Sequence, residues 1–172
     1  MRKNILLAFA VLFVTACATT GKLSNGAPEW TLNGSGAFSG GGEKVFCGVG
    51  LAGASIKDES LRREAADNRA RADLQKVFNV YSGSLMKDYS GTDGELVERA
   101  IKTYQGGSLS GVEITKRYQR PDGTMYSLAQ LDLAQFKKFV ELEQSLNSAA
   151  KEFLRKKSDA MFDELAKEEK LR

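Results

Sequence analysis

A glycine motif is the first feature of this sequence whose residue types and spacing could support chemistry. Gly48, Gly50 and Gly53 have the G-x-G-x-x-G spacing with which a strand and the following helix bind the pyrophosphate of a dinucleotide. The two-residue alternation of the surrounding strand continues through the motif, however, and no second strand-helix-strand unit follows to complete a binding crevice. We therefore interpret Gly48 and Gly50 as the bare face of a strand on which an alanine-rich helix packs.

Nucleophilic and metal chemistry have little support among the residue types present. The 172 residues include no histidine, which excludes Ser-His-Asp and Cys-His catalytic sets and every zinc site that contains histidine. Cys47 has no histidine to help form a thiolate, so we interpret it as a buried strand residue. The acidic residues Asp88, Asp93, Glu95 and Glu98 do not have the spacing of a calcium loop and are interpreted as surface residues. We expect no enzymatic activity, no cofactor and no metal site.

The charge balance bears on nucleic-acid binding. Lys and Arg number 25 and Asp and Glu 22, a formal net charge of +3, and the two signs are interspersed along the chain. Nucleic-acid binding requires a basic face. We therefore expect no nucleic-acid partner.

The first residues have the pattern of an export signal. Arg2 and Lys3 precede an apolar run at residues 5–14, which spans about half of a ~30 Å hydrocarbon core and is too short for a transmembrane helix. The sequence Val-Thr-Ala-Cys that ends at Cys17 resembles the lipobox of bacterial lipoproteins. That resemblance implies removal of residues 1–16 as a signal peptide, diacylation of the Cys17 thiol and acylation of the new amino end. The alternative is an ordinary secretory leader with a chance cysteine.

Ala18 follows the candidate lipidation site. An aspartate at this position would suggest retention in the inner membrane in enterobacterial sorting, so alanine favours the outer membrane. We therefore expect a lipid-anchored outer-membrane protein whose domain lies in the periplasm or at the cell surface. Residues 17–42 are rich in Gly, Ser and Asn and predict a tether, interrupted where Trp30 is expected to dock on the domain.

The predicted domain, residues 43–140, begins with a strand and two helices. Apolar residues alternate from Val45 to Leu51, which predicts a strand. Ser55 is predicted to cap a long alanine-rich helix that extends to about Phe78, and residues 79–90 are ambiguous between strand and helix. A second helix is predicted from Thr92 to about residue 104, ended by two glycines.

A β-hairpin and a long helix complete the prediction. Alternating residues at 109–120 and 125–132 flank a turn that contains Pro121 and Gly123, which predicts an antiparallel hairpin. From residue 133 to about residue 170 the apolar spacing predicts one helix of about 38 residues, roughly 57 Å long. The predicted fold class is therefore α+β, with a small antiparallel sheet (strand, helix, helix, β-hairpin) packed against the alanine-rich helix and followed by a C-terminal helical extension at residues 141–172.

The C-terminal extension is the predicted partner surface. A domain of about 100 residues has a radius of gyration near 13 Å and cannot cover such a helix along its whole length. Its second half carries an apolar stripe that we expect to bind an envelope protein or a second copy of the chain. The alternative is a helix that folds back on the domain. The stripe consists of Phe153, Leu154, Met161, Phe162 and Leu165.

Several short motifs, in this order and spacing, resemble the Lpp-twenty family of bacterial outer-membrane lipoproteins. The resemblance covers roughly residues 28–140 and implies a small α+β domain without catalytic residues. The motifs are the lipobox at Cys17, Pro28-x-Trp30, Phe46-Cys47-Gly48-Val49-Gly50, Glu64-Ala65-Ala66 with Leu74, Leu109-Ser110-Gly111-Val112-Glu113-Ile114, and Asp122-Gly123-Thr124-x-Tyr126-Ser127-Leu128 through Asp132.

These features favour one functional class over two others. We expect a non-enzymatic outer-membrane lipoprotein that acts as a protein-binding or assembly module of the bacterial envelope. The alternative is a lipoprotein activator of a peptidoglycan synthase, whose domain would reach the enzyme on a flexible tether. A nucleotide-dependent enzyme is the least favoured class.

Overall fold

The computed structural model describes Leu23, residues 26–108 and residues 112–170. Cys17, the leader before it and residues 109–111 of the predicted hairpin lie outside the described residues. Four strands form one antiparallel sheet within the described part. They are β1 (Gly36–Gly40), β2 (Glu43–Ala52), β3 (Glu113–Gln119) and β4 (Met125–Asp132), and their order across the sheet is β1-β2-β4-β3.

Four longer helices and one short helix accompany the sheet. They are α1 (Trp30–Asn33), α2 (Glu59–Asp88), α3 (Gly94–Ser108), α4 (Leu133–Leu142) and α5 (Ser148–Lys170). The four longer helices pack together on one face, here called the inner face, and enclose the main apolar core. The predicted α+β class and the long C-terminal helix are confirmed.

Strand β2 separates two apolar clusters because its side chains alternate between the faces of the sheet. Phe46 points into the helical core, whereas Val45 and Cys47 belong to a cluster on the opposite, outer face. The same alternation places Gly48 and Gly50 on the inner face, opposite Ala129 and Ser127 of β4. On its inner face, β2 therefore carries the large ring of Phe46 towards one end and no side chains at Gly48 and Gly50 in the middle.

Helix α2 begins later and ends later than the sequence indicates. The predicted cap, Ser55, is wrong: Asp58 has extended backbone angles, and its carboxylate accepts a hydrogen bond from the Leu61 amide at 2.8 Å. The ambiguous segment continues the helix to Asp88. The buried positions follow helical spacing over its whole length, at Ala66, Ala70, Leu74, Phe78, Tyr81 and Leu85.

A tight hairpin replaces the end of the predicted tether. The assignment of residues 36–42 to a tether is wrong, because every residue of Gly36–Gly40 pairs with a residue of β2. Gly41 and Gly42, with φ of 62° and 87°, form the two-residue connection. Such connections need positive φ at both central residues, which glycine adopts without strain. These glycines therefore close a hairpin and do not form a linker.

The hairpin predicted around Pro121 and Gly123 is confirmed by the antiparallel pairing of β3 with β4. Residues 120–124 form its turn, in which the amide of Gly123 donates to the carbonyl of Arg120 at 2.9 Å and Gly123 has a φ of 85°. A register shift between Ile114 and Lys116 marks a bulge in β3. Before this hairpin, α3 starts at Gly94 and continues through the two glycines that were expected to end it.

The prediction of one continuous C-terminal helix is wrong. Helix α4 ends at Leu142 because Glu143 has extended backbone angles, with a ψ of 114°. The side chain of Asn147 then accepts a hydrogen bond from the amide of Ala150 at 2.9 Å and starts α5. Between the helices, Leu146 is buried in the core. This break turns α5 back over the domain, where it packs on β1 and α2.

The two ends of the described domain meet where α5 packs on β1. A Cβ atom at Gly36 would lie 3.0 Å from Cγ of Glu169. Nearby, the ammonium group of Lys44 in β2 lies 3.3 Å from the Asp159 carboxylate and 2.8 Å from that of Asp163, both on α5. The last helix is therefore held to the first two strands by close packing and by ion pairs.

Several helices in the described part of the chain are long, and none of them has the apolar character needed to cross a bilayer. Helix α2 alone has 30 residues, but charged side chains recur along its exposed face.

Candidate functional site

The start of the domain is defined by the tryptophan that the sequence analysis singled out. Trp30 is only 2% exposed and packs against Val45, Cys47 and Leu128 on the outer face of the sheet. Its predicted docking is confirmed. Ala27, three residues earlier, is also buried. The described fold therefore includes Ala27, which lies ten residues after Cys17 in sequence.

The rest of the outer face is a partly covered apolar surface. Phe38, Val49, Tyr118 and Tyr126 are half-buried around the Trp30 cluster, and the rings of Tyr118 and Tyr126 are 6.4 Å apart across the β3–β4 pair. Leu51 at the end of β2 is exposed. Within the described residues, no long helix covers this face.

The space beside Gly48 and Gly50 of the glycine motif is filled by helix α2. A Cβ atom at Gly48 would lie 2.1 Å from the Ala70 carbonyl oxygen, and one at Gly50 would lie 2.0 Å from that of Ala66. Real Cβ atoms do not approach backbone this closely, so only glycine fits at either position. The backbone of α2 fills the space that a pyrophosphate would need. The interpretation of Gly48 and Gly50 as a bare strand face is confirmed.

A buried polar cluster that the sequence analysis missed joins α2 to the hairpin. Asp67 of α2 accepts two hydrogen bonds from the Arg117 guanidinium, at 2.9 Å and 2.7 Å, and a third from the Ser127 hydroxyl at 2.6 Å. Burial alone would raise the pKa of the Asp67 carboxyl, but the bonds from Arg117 and Ser127 lower it below its usual value. Ser127 is fully buried and the Arg117 side chain is 42% exposed, so the cluster joins α2 to the sheet at the border between core and surface.

The sequence carries a weak signal for that cluster. Ser127 is a polar residue at an inner-face position of a strand that is otherwise apolar there, and Arg117 occupies an inner-face position of β3. A buried hydroxyl requires a partner. The alternation in both strands could therefore have indicated a buried polar contact, although it does not indicate Asp67, which lies 50 residues earlier in sequence than Arg117.

The acidic residues considered as a cation site are dispersed in the structure. Asp88 pairs with Lys157 at 3.2 Å, and Glu98 pairs with Lys102 at 2.6 Å. Asp93 accepts a hydrogen bond from the side-chain amide of Asn147, and Glu95 is exposed. Among the described residues, no group of three acidic or cysteine side chains could hold a metal ion.

The predicted C-terminal partner stripe lies inside the domain. Leu154, Phe162 and Leu165 are buried in the main core, and Phe153 and Met161 pack against it half-buried. The premise that this stripe extends beyond its own domain is therefore wrong. The alternative considered from the sequence, a helix that folds back, describes the structure. These five side chains belong mainly to the core, and only the half-buried edge of the stripe reaches the surface.

Two buried tyrosines carry hydroxyl groups into the main core. The Tyr81 hydroxyl donates to the Ser158 carbonyl at 3.2 Å, and burial raises the pKa of Tyr81. Burial raises the pKa of Tyr104 to about 12, but no described residue forms a hydrogen bond with its hydroxyl. Its ring is held by Phe78, Phe136 and Phe139, with centroids 5.0–5.4 Å away.

Comparison with protein-family models and with curated proteins finds no match to this chain. The resemblance to the Lpp-twenty family therefore remains a prediction from the motifs given above.

Proposed function

We propose that this protein is a non-enzymatic lipoprotein of the bacterial outer membrane, anchored through Cys17, whose α+β domain binds another envelope protein close to the bilayer. The observation that supports the proposal is the docking of Trp30 on the sheet together with the burial of Ala27, which lies only ten residues after Cys17 in sequence. The lipobox pattern and the family resemblance support lipid anchoring at Cys17. The docking of Trp30 supports a short connection between that anchor and the domain.

The position of Trp30 sets how far the domain can stand from the membrane. Ten peptide steps separate Cys17 from Ala27, and a fully extended chain covers at most about 35 Å over that length. The composition of residues 17–42 had suggested a tether of about 25 residues. Because β1 and Trp30 belong to the fold, the reach is less than half of the fully extended length of that tether.

This short reach does not favour the alternative function. An activator of a peptidoglycan synthase was considered because a long flexible tether could carry its domain through the cell wall. A domain held within about 35 Å of its acyl chains is suited instead to partners at the same membrane surface. We therefore propose a membrane-proximal binding or assembly role.

The proposed absence of enzymatic activity is supported by how the chemistry-bearing residues are used. The backbone of α2 fills the space beside Gly48 and Gly50, and Cys47 is 1% exposed. The Asp67 carboxylate accepts hydrogen bonds from the buried Ser127 hydroxyl and the partly exposed Arg117 guanidinium. Each of these groups has a structural role in the described fold.

Mass spectrometry of the protein purified from bacterial membranes tests the anchor. We expect a mature chain that begins at Cys17, with a triacylated tryptic peptide ending at Lys22, and co-fractionation with outer-membrane vesicles. The matched control is Cys17→Ser, which should lack the acyl chains and leave the membrane fraction. An unprocessed chain, or a peptide in which Cys17 is joined through a disulfide, would contradict the proposal.

A further inference from the structure

A surface groove runs between α2 and α5 at the edge of the main core. Its apolar lining consists of the exposed Val80, the half-buried Val77 and Met161, and the edge of the core residue Leu165. Two cavities of about 280 and 220 Å³ share Val80, Leu165 and Glu168 in their walls, so they lie next to each other along the two helices. The α2 residues that line it extend from Asp73 to Asp88, a helical length of about 22 Å.

Val80 distinguishes this groove from the rest of α2. Its side chain is 57% exposed, although it stands in the middle of a line of half-buried apolar residues. Leu61 of the same helix is 56% exposed but lies outside the groove. The two residues therefore form a matched pair for experiments, with similar exposure in different surroundings.

The rim of the groove is acidic. Glu164 and Glu168 of α5 are exposed and four residues apart, so they lie on the same side of the helix. Lys76 of α2 is already paired with Asp73 at 2.7 Å. The charged residues that line the two cavities are Asp73, Asp88, Glu164, Glu168 and Glu169, together with Lys76 and Lys87. Acidic groups thus outnumber basic ones around an apolar lining.

We propose that the α2–α5 groove binds a basic amphipathic helix of another envelope protein. This inference rests on the proposed role as a protein-binding module and names the chemistry of its partner. A helix of about 15 residues matches the 22 Å length, with apolar side chains every three or four residues against Val77, Val80 and Met161. Its Lys or Arg side chains lie along Glu164 and Glu168, where opposite charges provide complementarity.

The same charges oppose two other occupants. A second copy of the chain that presented this groove would bring acidic rims together, which costs free energy. An anionic lipid surface would be repelled for the same reason. A basic helix is the occupant that satisfies both the apolar lining and the acidic rim.

Peptide binding tests the proposal. The protein is the chain from Ala18 to Arg172, which keeps every described residue and whose cooperative unfolding is checked first. The probe is a fluorescent 15-residue helical peptide with leucines at three- and four-residue spacing and flanking lysines. The comparison peptide has glutamates in place of the lysines. We expect saturable anisotropy with the lysine peptide, weaker binding as salt is raised, and no binding of the glutamate peptide.

Three variants locate the binding. Val80→Asp and the pair Glu164→Lys and Glu168→Lys should each weaken binding of the lysine peptide by at least about fivefold, while Leu61→Asp should bind like the parent. Equal loss in Leu61→Asp, equal binding of both peptides, or no binding of the lysine peptide would overturn the inference. Self-association that Val80→Asp abolishes would assign the groove to a second copy and also overturn it. None of these variants changes the mass of the Cys17 peptide, so this test and the anchor test fail independently.

Discussion

Phe162 of α5 lies edge-on against Phe46 of β2, with ring centroids 4.9 Å apart and planes at 67°. The two residues are separated by almost the whole domain in sequence, and both are fully buried. Tyr81 of α2 also contacts Phe46, at 4.9 Å. The last helix therefore completes an aromatic cluster that the first long strand and the longest helix begin.

This contact predicts that the C-terminal helix is required for folding. Phe162→Ala removes a ring from a fully packed site and should lower the free energy of unfolding by about 3–5 kcal/mol, measured by urea denaturation. Leu142→Ala, at a residue that is 69% exposed, is the control and should change it by less than about 0.5 kcal/mol. Deleting residues 151–172 should abolish cooperative unfolding. A deleted chain that still folded would show that α5 is dispensable.

The glycines of β2 give a second prediction. Gly48→Ala and Gly50→Ala each place a methyl group about 2 Å from the backbone of α2, so the helix must move away from the sheet. Each substitution should cost about 3 kcal/mol or more. In Gly53→Ala the new methyl group meets only the Ser55 hydroxyl, at 3.7 Å, and stability should be almost unchanged. Thermal unfolding followed by circular dichroism distinguishes the three. If all three variants matched the parent, the close helix–strand packing would be refuted.

The Asp67 cluster predicts a specific acid sensitivity. The folded-state pKa of Asp67 lies below its usual value, so the carboxylate stabilises the fold above the unfolded pKa of about 4, and this contribution is lost as pH falls through the lower folded pKa. Asp67→Asn should cost about 1–3 kcal/mol at neutral pH and should flatten the dependence of stability on pH below about 4. Asp73→Asn, at an exposed ion pair on the same helix, is the control and should keep the slope of the parent. An unchanged slope in Asp67→Asn would contradict this assignment.

The two buried tyrosines predict opposite effects of the same substitution. Tyr81→Phe removes the hydrogen bond to the Ser158 carbonyl and should lower the free energy of unfolding by about 1 kcal/mol. Tyr104→Phe removes a buried hydroxyl that no described residue satisfies and should leave stability unchanged or raise it by about 1 kcal/mol. Urea midpoints of both variants, measured side by side, provide the test. A loss in Tyr104→Phe as large as in Tyr81→Phe would mean that its hydroxyl has a partner.

Local patterns in the sequence were sufficient for the elements with a strong periodic signal. The alternation in β2 and its two glycines indicated both a strand and the face on which a helix packs. The turn with Pro121 and Gly123 indicated the hairpin that was found. Trp30 was expected to dock because a large apolar side chain in a polar segment needs a surface to cover it.

Some features could not be predicted because they depend on contacts between residues that are distant in sequence. Others were not recognised because a glycine-rich composition is typical of linkers as well as of tight turns. The glycine content around Gly41 suggested a linker, although two adjacent glycines between alternating residues also fit a two-residue hairpin. Apolar spacing continues through Leu142 and Leu146, so periodicity could not show that the helix breaks between them. The pairing of Asp67 with Arg117 arises only when α2 lies on the sheet.

The contact between Gly36 and Glu169 has a consequence for the order of events as the chain is made. Synthesis proceeds from the amino end, so β1 is made more than a hundred residues before the residue of α5 that packs on it. Until that helix arrives, Phe46 and its neighbours have no complete core to enter. The domain therefore cannot complete its aromatic core during synthesis before α5 has been made, so this fold assembles late and from both of its ends at once.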